Sequence, residues 1–514
     1  MANLNESRIP VIVAGGHSIR RDGIFSPLDL AAFAAEAAFE EAPALRERVE
    51  QLSLVNVLAR VGSAPATTLA RRLGLEQVRA ETTTIGGNTP QTLVNRAARA
   101  IAAGELQAAL LVGGEAQRSA KERRAARSEA KAGSSAAPTS SAGAGAPSEA
   151  GTLEDLPPDP VFGDDRPGIG PAEMAANLIV PVHIYPLFES VIAWRAGRSF
   201  AEQRAFLGKL MARFAEVAAK HPFAWFPEPA SPEELSELSE SNRLVAEPYP
   251  KRMCAFLNVD QGAAVIVCSL EAARAAGVAD RAVFCWSGAE ASDVWFPVER
   301  PDPGRSPAIE AAAASALQAA GKGVDDMAAF DLYSCFPCAV EMGAEAMGLS
   351  LDDPRGFTVT GGLPYFGGPG NNYTMHAIAT MTDRLRDQGG LGLVTGLGWY
   401  ATKHSVGIYG ADPPPSGFAM GDTTDAQARI DASAMPVAEG LGEEDPSEAI
   451  VVASTIVHGP DGAPSGAPVI ARLADGRHVA AALAEGEDGA GLAGRNLVGE
   501  QVVVSGSPPR YRLA

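Results

Sequence analysis

Apolar residues along this chain fall into short runs separated by longer amphipathic stretches, and that alternation points to a fold class. Residues 9–15 (Ile-Pro-Val-Ile-Val-Ala-Gly) read as a buried first strand closed by a Gly turn. Helical spacing follows at 28–50, 64–73 and 92–104, and Ala108-Ala-Leu-Leu-Val112 supplies the next strand. Short apolar strands alternating with longer helices predict an α/β protein with a mostly parallel sheet covered on both faces. The rhythm begins again near 244. Val259–Ser269 reads as a turn into a buried strand, followed by a helix at 306–320, a strand at 328–333, a helix at 337–348 and a strand at 390–396. Two related α/β halves are therefore expected.

Between and after these halves the pattern changes. Residues 119–131 are a Lys/Arg/Glu/Ala run, read as a solvated helix or as a basic contact for an anion. Residues 132–152 are almost wholly Ala, Ser, Gly, Pro and Thr, a composition that cannot bury a core. The stretch 168–220 is mainly helical and rich in aromatics and Pro. Its aromatics, with those just beyond it (Tyr185, Phe188, Trp194, Phe223, Trp225, Phe226), either cover a bulky ligand or serve as ordinary core. Pro, Gly, Asp and Glu dominate 413–445, a candidate linker. From 448 the signal turns to short strands with an Asp475-Gly476 hairpin turn, which suggests a small barrel or sandwich. The expected division is 1–117, 118–243, 244–425 (with the first half returning near 244–275) and 426–514.

Composition narrows the class further. At 514 residues two to four packed units are expected, and 46% hydrophobic with 20% charged residues is a globular balance. A net charge of −20 argues against a nucleic-acid surface and for a cytoplasmic protein. Residues 1–8 show no basic segment leading into an apolar core, so no signal peptide is expected, and no apolar run is long enough to span a membrane. Five cysteines (254, 268, 285, 335, 338) fit a reducing compartment better than a disulfide framework. Cys335 and Cys338 form a CxxC with no second pair to complete a zinc site, and no metal is expected.

Six motifs occur in a telling order: Arg8-Ile-Pro-Val-Ile-Val13; Ile85-Gly-Gly-Asn-Thr-Pro-Gln91 with Ile101, Gly104 and Val112-Gly-Gly-Glu115; Pro248-Tyr-Pro-Lys251 with Val259-Asp-Gln-Gly262; Tyr333-Ser-Cys-Phe336; Gly361-Gly-Leu-Pro-Tyr-Phe-Gly-Gly-Pro-Gly370; and Thr395-Gly-Leu-Gly-Trp-Tyr-Ala-Thr-Lys-His-Ser405. Over 8–425 this series resembles the thiolase superfamily, in particular the sterol-carrier-protein-type thiolases and the thiolase-like protein type 1 group, which appends a small β domain. The resemblance implies a five-layered thiolase fold with a helical loop insertion. It also implies acetyl-CoA acetyltransferase ancestry, a role in lipid metabolism, and CoA or acyl-CoA as ligand with no other cofactor. Four loops of such a fold meet at the thioester. They place Gly87, Asn88, Thr89, Phe336, Gly367, Gly368, Pro369, Gly396, Gly398, Tyr365 and Tyr400 against substrate.

The resemblance also marks what is missing. Its acylated cysteine falls on Gly87, its activating histidine on Gly368, and its second cysteine has no counterpart near Val394–Gly398. Where the sterol-carrier type reads His-Asp-Cys-Phe, this chain reads Tyr333-Ser-Cys-Phe336. Tyr333, Cys335 and His404 are the remaining catalytic candidates. Against them stand a buried hydrophobe's role for Cys335 and a hydrogen-bonding role for His404. Thr84 and Thr89 read as turn and capping hydroxyls, and His376 as structural. Three functions follow as expectations: acyl-CoA binding without ordinary thiolysis; retro-aldol cleavage of a CoA thioester using tyrosines (Tyr333, Tyr365, Tyr373, Tyr400) with His404; or acyl transfer through Cys335. A monomer or a homodimer altered by the β domain is expected.

Overall fold

The computed structural model describes residues 5–59, 61–132, 156–442 and 446–514. The first half opens with β1 (Pro10–Ile19) and α1 (Pro27–Glu41), whose Ser26 cap and Asp29 bond reciprocally. The helical pattern read at 28–50 breaks at Ala42-Pro43, where a short 3-10 turn takes over. There follow β2 (Gln51–Leu54), α2 (Pro65–Arg72), β3 (Arg79–Thr83), α3 (Thr89–Ala103), β4 (Ala108–Ala116), α4 (Gln117–Ala132) and β5 (Val161–Phe162). The low-complexity stretch from 133 to 152 lies outside the described residues.

Helices α5 (Pro171–Ala175), α6 (Pro181–Arg195), α7 (Phe200–Ala218) and α8 (Pro232–Ser236) form the helical insertion. Short strands β6 (Leu244–Ala246) and β7 (Tyr249–Pro250) lead to β8 (Asp260–Ser269), which completes the first half, and α9 (Leu270–Ala275). The second half comprises β9 (Val283–Ser292), α10 (Pro307–Ala320), β10 (Met327–Asp331), α11 (Pro337–Ala346), α12 (Gly362–Tyr365), α13 (Tyr373–Gln388), β11 (Leu391–Gly398) and β12 (Lys403–Gly410).

The strands form one eleven-stranded sheet in the order β10-β11-β12-β9-β1-β8-β4-β2-β3-β5, with β13 (Ala419–Met420) beside β9. Reading outward from the β1–β9 seam, each half repeats one plan. The opening strand pairs antiparallel with the closing strand (β1 with β8, β9 with β12). The closing strand pairs antiparallel with an inner strand (β4, β11), which runs parallel to its outer neighbour (β2, β10). The internal repeat is thus carried by topology. The sheet is mixed, not mostly parallel: long apolar runs report burial on both faces and say nothing of strand direction. Helices α3 and α13 pack between the two halves, with α1 outside the first and α10 outside the second, giving five layers.

The expected linker is structured over much of its length. Helix α14 (Thr424–Ala432) packs against β9, and the Gln427 amide both accepts from Ser292 N (2.7 Å) and donates to Ser292 O (2.8 Å). Two backbone bonds from one side chain hold this segment where composition suggested only a tether. Beyond it, β14 (Ser447–Ser454), β17 (Val469–Leu473), β18 (His478–Leu483), β19 (Gln501–Ser505) and β20 (Arg510–Leu513) close a small barrel around Val451, Val469, Leu497 and Val504. Strands β15 (Val457–His458) and β16 (Pro464–Gly466) leave the barrel and join β6 and β7 in a second sheet. Ser190 of α6 accepts from Ser454 N (3.1 Å), and its carbonyl accepts from Asn496 Nδ2 (2.8 Å), so the barrel is bonded to the insertion. Among the described residues no helix is long and apolar enough to cross a membrane.

Candidate active site

The turn at the N-terminus of α3 is fixed from three sides. Within it, the Thr89 hydroxyl donates to Gly86 O (2.8 Å) and closes the turn, as a hydroxyl in such a position should. From the loop before α13, Asn371 Oδ1 accepts from Gly86 N (3.0 Å), and from the first turn of α13 the Thr374 hydroxyl donates to Gly87 O (2.8 Å). From the end of β11, Gly396 and Gly398 approach so closely that a β-carbon on either would lie 2.8 Å from Asn88 Cα or 2.3 Å from Asn88 Oδ1. Only glycine permits that contact.

Gly87 sits at the centre. A β-carbon here would lie 2.3 Å from the Tyr333 hydroxyl and 2.6 Å from Leu397 O, both far inside contact distance. Tyr333 itself is buried and held by a bond from its backbone N to Thr395 Oγ1 (2.8 Å). Its phenol therefore occupies the space a side chain at 87 would need. Burial pushes that phenol well above its ordinary value, with the nearby Cys335 adding to the rise. Tyr333 also stands edge-on to Tyr373, with ring centroids 5.6 Å apart.

Tyr373 leads to a buried polar network that sequence reasoning missed. Its hydroxyl lies 2.6 Å from Thr360 Oγ1 and 3.1 Å from Asp331 Oδ1. Asp331 also accepts from Val359 N and from the Thr358 hydroxyl, both at 2.9 Å. Burial raises the Asp331 carboxyl to about 6 despite these donors. An aspartate ending a parallel strand was the available signal.

The other expected residues are dispersed. Phe336 stacks on Tyr185 at 4.5 Å, in the seam between α6 and α11. Burial drives the neighbouring Cys335 thiol up to about 12. Gly368 donates its N–H to Phe256 O (2.9 Å), and a side chain there would start 3.3 Å from Leu257. Gly367 lies against Gln261, Pro369 O accepts from Asn372 N, and the buried Tyr365 hydroxyl has no partner among the described residues. Tyr400 donates to Ile179 O (2.6 Å), away from Gly87. His376 pairs with His17 through Nδ1 atoms 2.9 Å apart, inside a buried histidine cluster that desolvation holds neutral.

His404 meets Ser306 Oγ and Ala401 O, each at 3.1 Å, and Asp293 at 3.3 Å, all through Nε2. The residue types are those of a hydrolytic triad, but the wiring is not. Ser306 donates to Asp293 (2.5 Å) and caps α10, so its proton is directed at the carboxylate and not at the imidazole. A void of about 10 Å³ touches both His404 and Tyr333. A larger cavity of about 350 Å³ lies on the other side of the Gly86–Asn88 turn, beside Lys403.

No family model matches the sequence, and no curated protein is matched significantly. Solved structures do match. A monomeric SCP2-thiolase-like protein type 1 from Mycobacterium smegmatis is 32% identical, covering 99% of this chain and 100% of that one, with a TM-score of 0.80. The Ltp2-ChsH2(DUF35) aldolase shares 19% identity over 79% of this chain and 99% of that one, at a TM-score of 0.59. An acetyl-CoA acetyltransferase from Syntrophomonas wolfei shares 15% identity over 79% of this chain and 99% of that one, at 0.55. The last two are likenesses of fold.

Proposed function

The chain belongs to the SCP2-thiolase-like proteins of the thiolase superfamily, and from that membership we propose that it binds CoA thioesters without cysteine-dependent acyl transfer. One observation carries the reading: the Tyr333 hydroxyl fills the β-carbon position of residue 87. Acyl transfer of the thiolase kind needs a thiolate at the helix N-terminus, a base to form it and a donor for the thioester oxygen. Position 87 has no side chain, position 368 has no imidazole, and the phenol that fills the gap is kept protonated.

Cys335 does not replace the missing group in this reading. Burial pushes its thiol up to about 12, so it stays protonated at neutral pH. The close approach of the Gly86–Asn88 turn and Gly396–Gly398 is then a shape kept for a ligand, with the reacting atoms withdrawn. Calorimetric titration with CoA and acetyl-CoA, followed by a thiolysis assay on acetoacetyl-CoA, tests it. Binding without thiolysis is expected; thiolysis would overturn the reading.

A second reading rests on the Tyr333–Tyr373–Asp331 series. Retro-aldol cleavage begins with removal of a β-hydroxyl proton, and a carboxyl held near 6 behind a tyrosine is a proton acceptor suited to that step. Cleavage of a β-hydroxyacyl-CoA that disappears in Asp331→Asn would favour this reading over simple binding.

A further inference from the structure

Lys403 opens β12 with its side chain turned inward beneath the Gly86–Asn88 turn, and the residue is only 6% exposed. Its ammonium donates to Ile85 O (2.5 Å) and reaches Asp164 O (3.4 Å), both backbone carbonyls. Among the described residues no carboxylate lies within 4.0 Å of it. A buried charge without a counter-ion is costly, and proteins ordinarily pair it or neutralise it. Desolvation does lower this amine, to about 8, which still leaves it mainly charged at neutral pH.

The charge borders the cavity of about 350 Å³ noted above, whose wall includes Thr84, Asn88, Phe162, Glu290, Lys403 and His404. Two features besides the lysine favour an anion there. The N-terminal end of α3 reaches the cavity through Asn88 and Thr89, with no side chain capping it. The Thr84 hydroxyl, on a residue 7% exposed, is buried and has no partner among the described residues. It is a donor waiting for an acceptor.

The remaining charged groups limit which anion fits. Glu290 accepts from Asn95 Nδ2 (3.3 Å), and burial raises its carboxyl toward the neutral form. Asp164 is engaged by Arg166 at 2.7 Å. An ammonium without a contacting carboxylate, with Arg166 paired to Asp164 nearby and Glu290 in the cavity wall, suits a single negative charge better than two. The Phe162 ring and Ala291 add an apolar wall. We propose that this cavity binds a small organic monocarboxylate, its oxygens accepting from Lys403 and Thr84 and its carbon chain lying against Phe162. Its two donors, Lys403 and Thr84, are not groups the thioester reading uses, although the cavity shares Asn88, Thr89 and His404 with the loops expected at the thioester.

The test is titration of the full chain with propionate at neutral pH, followed by ligand-detected NMR, with inorganic phosphate as the comparison anion. Saturable propionate binding is expected, weakened roughly tenfold or more in Lys403→Met, which keeps the stem and removes the charge. Thr84→Val preserves volume and should weaken binding severalfold, and it serves if Lys403→Met does not fold. The proposal is overturned if propionate does not saturate, if phosphate binds in preference to it, or if the folded variants bind propionate as the wild type does.

Discussion

The hydroxyl of Tyr333 stands 2.3 Å from where the β-carbon of residue 87 would be, so Gly87 and Tyr333 are complementary halves of one filled position. Any side chain at 87 must displace the phenol, and it must also clear Leu397 O at 2.6 Å. The residue types at 87 and 333 are therefore linked by sterics.

Gly87→Ala should destabilise the protein by about 1–3 kcal/mol, the usual cost of overpacking a closed site. The same change made on Tyr333→Ala should cost less, because one of the two clashes is gone. Denaturant unfolding of the four proteins in a double-mutant cycle gives the coupling. Additive effects would mean that the two residues do not share the space. Gly87→Cys should be destabilised in the same way and should not gain thiolysis.

Asp331 supplies a pH dependence whose sign is fixed by its burial. Its carboxyl is about 6 in the folded chain against 3.8 for the free group. A raised folded value means that the native state holds the proton more tightly. The stabilisation is complete below about pH 4 and is lost as pH rises through about 6, by on the order of 3 kcal/mol. Asp331→Asn cannot ionise, so the wild-type-minus-variant stability difference should fall across that interval and level off above it. A flat difference from pH 4 to 7 would contradict the burial argument.

All five cysteines are buried, and burial raises each thiol. Iodoacetamide at neutral pH should modify the native protein far more slowly than the unfolded chain at every site, Cys335 included, as read by peptide mass spectrometry. Rapid, selective alkylation of Cys335 would return it to candidacy as a nucleophile.

Propionate binding at the Lys403 cavity should weaken as pH rises above about 8, where the free amine loses its charge. Between pH 6 and 7 it should change little, since the lysine stays protonated there. NMR titrations at several pH values check this; binding that strengthens through pH 8 would exclude the ammonium as the anion's partner.

Much of this architecture was legible in the sequence, for identifiable reasons. Apolar runs such as Ala108–Val112 and the glycines at 87, 396 and 398 marked buried strands and close turns, because only burial and close approach demand those residues there. Strand direction was not legible, since a buried strand has the same composition whichever way it runs. Strand β9 lacks a branched aliphatic run, mixing Phe284, Cys285, Trp286, Ser287 and Gly288, and it carries no clear period. Helix α14 hid in a polar segment because only Gln427 and a single buried apolar residue, Ile430, anchor it. At the site, the motif at 333–336 located Tyr333, but its contact with Gly87 depends on two distant loops meeting. Lys403 stood in view within Tyr400–His404, and nothing local marked it as a buried ammonium that contacts carbonyls and no carboxylate.

Under the proposed function the chain takes a CoA thioester and leaves it intact. Calorimetric titration of the full protein with acetyl-CoA, with the thioester content of the cell assayed afterwards, tests it most directly. Saturable heat and full recovery of acetyl-CoA are expected, with no acetyl group on the protein. Absence of binding, or acetyl transfer to any protein side chain, would contradict it.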